Sequence, residues 1–124
     1  MSTVKKQRSL SRSFKNALIG LAYCFRTQRN FRIHLAIALL VLIVAKLLMI
    51  SRLSLAILLF GILLVIVLEM INTAFEAIVN LLSPVWRQKA KIAKDVAAAA
   101  VLVIVLGAMI IGIIIFYPYL NHYY

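Results

Sequence analysis

Three long apolar stretches divide the chain, and the polar positions between them set their ends. Leu35 to Ile50 is interrupted only by Lys46; extended back to Phe31 it reaches 20 residues, about the length a helix needs to cross a bilayer core. Leu53 to Leu82 opens with 16 residues free of charge, after which Glu69, Asn72, Thr73, Glu76 and Asn80 enter. Val96 to Tyr119 begins with the run Ala97 to Ala100 and carries Gly107 and Gly112 further along. Small residues of this kind let helices approach closely in lipid, where packing replaces the missing hydrophobic force. Pro118 reads as the end of this last helix. Ahead of the first stretch, Phe14, Ala17, Leu18, Leu21, Ala22 and Phe25 recur at helical spacing, while Lys15, Asn16 and Arg26 take other faces. That spacing predicts an amphipathic helix over 13–28, lying in the membrane interface. Residues 1–12, rich in Ser, Lys and Arg, read as a flexible basic tail. The expected fold is therefore an all-α membrane protein: a surface helix plus three transmembrane helices, at about 31–50, 53–82 and 96–119, forming a single integral-membrane domain over 13–124.

Composition agrees with lipid as the solvent. The chain is 65% hydrophobic, against roughly 45–50% apolar residues in soluble domains. The charge is lopsided, with 14 Lys+Arg against three acids and a net charge of +11. In a chain this apolar, basic residues are explained by membrane topology rather than by nucleic-acid binding. Lys5, Lys6, Arg8, Arg12, Lys15, Arg26, Arg29 and Arg32 precede the first span; Arg87, Lys89, Lys91 and Lys94 lie between the second and third; Asn121 to Tyr124 hold none. The amino terminus and the second connection should face the cytoplasm, with the carboxyl terminus outside. Tyr117, Tyr119, Tyr123 and Tyr124 fit an aromatic belt at the outer surface, and Trp86 could serve at the inner one. The lone cysteine, Cys24, leaves no intramolecular disulfide and reads as a small apolar filler.

The three acids are Glu69, Glu76 and Asp95. An ionisable residue in a membrane helix costs about 2.5–3.5 kcal/mol on insertion scales, so it marks a working site by default. Glu69, Asn72, Glu76 and Asn80 fall at i, i+3, i+7 and i+11, which puts them on one helical face. The two glutamates lie about 10 Å apart along the axis, enough to hold a phosphoryl group and a metal between them. Lys94 and Asp95 return on the next helix, just past a basic loop. Carboxylates, amides and lysines at a membrane surface suit a Mg²⁺–nucleotide, with oxygens on the metal and cations on the phosphates. A polar stripe can also join helices in an oligomer by hydrogen bonding, a reading that remains open for Asn72 and Asn80. Two carboxylates in one membrane helix, however, repel unless something cationic lies between them. His34, at the edge of the first span, reads as an interfacial histidine rather than a base.

The segment Glu69-Met-Ile-Asn72-Thr-Ala74-Phe-Glu76, followed eighteen residues later by Lys94-Asp95-Val-Ala-Ala-Ala-Ala, resembles the signature of the prokaryotic diacylglycerol kinase family. Arg26-Thr-Gln28-Arg-Asn30-Phe-Arg32-Ile-His34 is similar to the motif that family carries before its first span, in the form used by its undecaprenol-kinase-like branch. The resemblance runs from Ser13 to Tyr119. It implies a homotrimer in a bacterial plasma membrane whose active sites are shared between neighbouring subunits. It also implies transfer of the ATP γ-phosphoryl group to a lipid hydroxyl. Glu69 would be the general base and Glu76 a Mg²⁺ ligand, with Asn72, Lys94 and Asp95 on the nucleotide or its metals. Gln28 occupies the place of the family's other metal-holding carboxylate. Lys15, Asn16 and Gly20 fall where the family approaches nucleotide and lipid headgroup.

Two positions depart from that pattern. Gln28 stands where the family usually has glutamate, and Asn80 where it usually has aspartate. Both keep an oxygen and lose a charge, so metal affinity should be weaker. An inactive relative acting as a membrane scaffold is one alternative. A small ion or proton carrier using Glu69 and Glu76 as relay groups is another, although it leaves Lys94-Asp95 and the Arg26 to His34 segment without a role.

Overall fold

A computed structural model describes residues 9–121, which form four helices and no strand. Helix α1 spans Leu10–Thr27, α2 Arg29–Leu47, α3 Arg52–Leu82 and α4 Gln88–Asn121. The last three are long and apolar enough to cross a membrane. The expected all-α membrane architecture, with one leading helix and three spans, is the one observed.

The boundaries follow from local chemistry. Helix α1 starts at Leu10, three residues before the expected 13, because Ser9 caps it: its Oγ accepts from the Arg12 amide at 3.2 Å, satisfying one free N–H of the first turn. Residues 1–8 and the belt residues Tyr123 and Tyr124 lie outside the described residues, so the tail expected over 1–12 keeps no described part as tail beyond Ser9. At Gln28 the backbone becomes extended (φ −108, ψ 106), which separates α1 from α2. The Arg32 guanidinium, one turn into α2, donates to the carbonyls of Phe25 at 2.9 Å and Arg26 at 3.1 Å. A cation on the orphan carbonyls of a helix end is stabilising, and here it holds the corner between surface helix and first span.

Helix α2 ends at Leu47, short of Ile50. The Ile50 amide donates to Ala45 O and the Met49 amide to Lys46 O, while Met49 takes φ 56. This is a Schellman turn with methionine in the left-handed position usually given to glycine. Ser51 then caps α3, its Oγ accepting from Ser54 N at 3.1 Å. The Ser51 amide donates to Tyr119 Oη at 3.2 Å, tying the turn to the far end of α4. Helix α4 begins at Gln88, eight residues before the expected 96. Gln88, Lys89, Ala90, Lys91, Ala93 and Lys94 are good helix formers, and this segment extends the span beyond its apolar part. Pro118 does not end α4: it sits within the last turn, and the helix continues to Asn121.

Helices α3 and α4 make the main packing, α2 lies against α3, and α1 reaches back to both α2 and α3. A small core of Ala45, Leu58 and Ile115 lies near the α2–α3 turn. The glycine at the helix contact is Gly61, where an added Cβ would meet Ala108 Cβ at 4.0 Å; Gly107 and Gly112 have no neighbour that close. Phe60, Leu63, Val67 and Ile71 face outward, an apolar surface far larger than a water-soluble monomer exposes.

Candidate active site

Helix length decides which polar groups meet water. At 1.5 Å per residue α3 is about 46 Å long, against a hydrocarbon core of about 30 Å. Counting from Leu53, Glu69 lies about 24 Å along and Glu76 about 35 Å. Measured this way, Glu69 falls near the far end of an apolar layer of that thickness, and Glu76 and Asn80 fall beyond it, on the side of the α3–α4 loop.

Glu69 is the deepest of these groups, 3% exposed. Its Oε2 lies 3.9 Å from Nε2 of His34, which α2 brings to the same level. The buried Thr73 turns its hydroxyl back onto the Glu69 carbonyl at 3.0 Å, so it serves the helix and not the site. Asn72 Oδ1 is buried and has no hydrogen-bond partner among the described residues. An orphaned acceptor of this kind costs about 1–3 kcal/mol. Glu76, half-buried one turn on, projects from the same stripe.

The neighbouring helix closes the loop end. Lys94 Nζ donates to Asn80 Oδ1, joining α4 to α3. Its sequence neighbour Asp95 faces elsewhere, exposed and paired with Lys91 at 2.6 Å. Consecutive helical residues are about 100° apart, so Lys94 and Asp95 reach one ligand only from different sides. A shallow recess of about 320 Å³ here is bordered by Asn80, Trp86, Arg87, Lys91 and Lys94. Gln28 lies at the α1–α2 break, its Nε2 donating to Thr27 Oγ1 at 3.4 Å, which leaves the amide oxygen available. Lys15, Asn16 and Gly20 are exposed on α1, and no hydrogen bond joins Lys15 or Asn16 to the α3 stripe.

A larger groove of about 540 Å³ runs between α2, α3 and α4, from His34 at one end to Leu120 at the other. Ala38, Leu58, Gly61, Val65 and Met109 are among its lining residues, nearly all of which are apolar. The titratable group at that first end is His34, the residue that faces Glu69.

The family model for prokaryotic diacylglycerol kinase matches residues 15–116. The chain belongs to the prokaryotic diacylglycerol kinase family. It is 44% identical over 101 residues to a diacylglycerol kinase of Synechocystis sp., covering 81% of this chain and 58% of that protein. It is also 40% identical over 107 residues to an undecaprenol kinase of Bacillus subtilis, covering 86% of this chain and 87% of that protein. The family is one of lipid kinases, so the resemblance carried by the Glu69 to Glu76 and Lys94-Asp95 motifs is confirmed at the level of family. Two features escaped the sequence: the approach of His34 to Glu69, and the bond from Lys94 to Asn80. Only the presence of His34 in the motif before the first span signalled the former.

Mg²⁺ takes oxygen ligands, keeps several waters and binds through one or two carboxylates plus substrate phosphates. Among the described residues no three His, Cys, Asp or Glu side chains form a metal cage. The unpartnered Asn72 Oδ1, the Glu76 carboxylate and the Gln28 amide oxygen are donors of the right kind.

Proposed function

We propose that this chain is an ATP- and Mg²⁺-dependent lipid kinase of a bacterial plasma membrane. It transfers the γ-phosphoryl group to the hydroxyl of a membrane lipid, diacylglycerol or undecaprenol. The amino terminus and the α3–α4 loop face the cytoplasm, as the basic flanks favour, and the working unit is a homotrimer. The observation that carries the reading is Glu69: a buried carboxylate 3.9 Å from His34, which lines one end of the apolar groove, with Asn72 and Glu76 following on the same stripe.

In this reading the lipid chain lies along the apolar groove and its hydroxyl reaches Glu69. The carboxylate accepts the hydroxyl proton as the lipid oxygen forms its bond to the γ-phosphorus. The bond to the β,γ-bridging oxygen breaks, and ADP leaves with the electron pair. Lys94, Arg87 and Lys91 border the recess that suits a polyphosphate, and Asn80 holds Lys94 in place. Glu76 and Gln28 would hold Mg²⁺, with Asn72 and Asp95 on the nucleotide or its metals; the ion supplies neutralisation of charge developing on the phosphates. Lys15 and Asn16 approach nucleotide or headgroup from α1. The groove's length, from His34 to Leu120, favours a long acceptor chain and hence undecaprenol.

The test is transfer of labelled phosphate from Mg²⁺-ATP to each lipid by purified protein in mixed micelles, with Glu69→Gln as control. Transfer that disappears in the variant supports the reading, and the preferred lipid names the acceptor. Trimeric protein that phosphorylates neither lipid turns the choice toward an inactive scaffold, the reading that the neutral Gln28 favours.

A further inference from the structure

We infer that His34 is the positioning residue for Glu69, orienting the carboxylate so that one oxygen faces the incoming lipid hydroxyl. The inference rests on the kinase reading for its functional consequence, and on geometry for the pairing itself. Glu69 is 3% exposed, and an unpaired carboxylate in a membrane helix is costly. Among the described residues, His34 is the one basic side chain within 4.0 Å of it, Nε2 to Oε2 at 3.9 Å. Lys94 is engaged by Asn80, and Lys91 by Asp95. The separation is longer than a hydrogen bond, but such contacts are often loose without substrate and tighten in the productive complex. His34 is itself only 20% exposed and lines one end of the groove, so an occupant of the groove presses on the imidazole and limits its rotation. Once the pair tightens in the productive complex, Nε2 donates to Oε2 and leaves Oε1 free to take the hydroxyl proton. Groove occupancy and base orientation are then coupled through one side chain, and the enzyme responds to a lipid that fills the groove.

The experiment has a kinetic arm and a spectroscopic arm. His34→Ala is expected to lower kcat about 100-fold, the cost of misplacing a reacting group by about 1 Å, with KM for ATP and for lipid little changed. His34→Gln, which can still donate an N–H, should recover part of the loss, while His34→Leu, which fills the space without donating, should not. Full kcat in His34→Ala, or rescue by leucine equal to that by glutamine, would reduce His34 to a groove filler and overturn the inference. The second arm needs no turnover. Imidazole ¹⁵N signals of protein labelled at its two histidines, assigned with a His122→Asn variant, should show the His34 Nε2 resonance moving in Glu69→Gln. A His34 signal indifferent to that substitution sinks the pairing whether or not the chain is a kinase. A kinase that fails in the transfer assay while the resonance still moves would leave the pairing standing and remove only the reaction.

Discussion

The two ends of the helical hairpins treat their polar groups in opposite ways. At the α2–α3 turn the capping groups are answered, by neighbours in sequence or by Tyr119 of α4. Ser51 Oγ accepts from Ser54 N, its amide donates to Tyr119, and the last carbonyls of α2 are closed by Ile50 and Met49. Toward the α3–α4 end, Lys94 pairs with Asn80 and Lys91 with Asp95, but two buried groups are left open: Asn72 Oδ1 has no partner among the described residues, and Glu69 faces His34 across 3.9 Å. In lipid an unsatisfied polar group is costly, and under the proposed function the open acceptor at this end is the one that a ligand would answer.

The comparison breaks most sharply at Glu69. Glu69→Gln keeps the shape of the side chain and removes the base, so turnover should fall by about 10²–10⁴-fold. Size-exclusion profile and helical circular dichroism should stay unchanged; an active variant would remove the base assignment. Gln28→Glu sharpens it from the other side. A new negative charge about 4 Å from a cation gains roughly 1 kcal/mol even in water, about fivefold in affinity, so the Mg²⁺ concentration for half-maximal rate should drop by at least that factor. An unchanged Mg²⁺ dependence would take Gln28 out of the metal site.

The next pair compares the ends directly by thermal unfolding in micelles. Ser51→Ala removes a helix cap and should destabilise by about 1 kcal/mol, with activity intact. Asn72→Leu removes a buried acceptor that nothing satisfies, so stability should hold or rise by about 1 kcal/mol, while KM for ATP increases. Equal destabilisation by both would make Asn72 a structural residue like Ser51. The smallest effect is expected at Met49, whose φ of 56 is unfavourable for a residue with a Cβ. Met49→Gly should stabilise by about 0.5 kcal/mol, since the relief of strain is partly offset by glycine's freedom in the unfolded chain. A loss of stability there would show that the methionine side chain contributes more by packing than its backbone costs.

Much of this was legible in the chain because the bilayer imposes it. Apolar runs of about 20 residues must be helices, since no other open structure satisfies its own backbone in lipid. The spacing from Glu69 to Asn80 is a property of one helix and needed no tertiary knowledge. The helix ends were less accessible: α4 runs through Gln88 to Asp95 because a polar helix continues an apolar one without a compositional sign at the join. Gly107 and Gly112 were plausible contact points, yet the close approach to α4 occurs at Gly61, because helix rotation and not glycine content selects the facing residues.

The number of spans, the charged flanks and the carboxylate stripe of α3 follow from the chain alone, since each depends on positions within one helix and on the surrounding lipid. Tertiary structure alone decided that His34 meets Glu69, that Lys94 meets Asn80 and Asp95 turns away to Lys91, and that an apolar groove ends at the His34 imidazole. Those relations join different helices, and the rotation of one helix against another is set by packing across the whole interface, which no local pattern encodes.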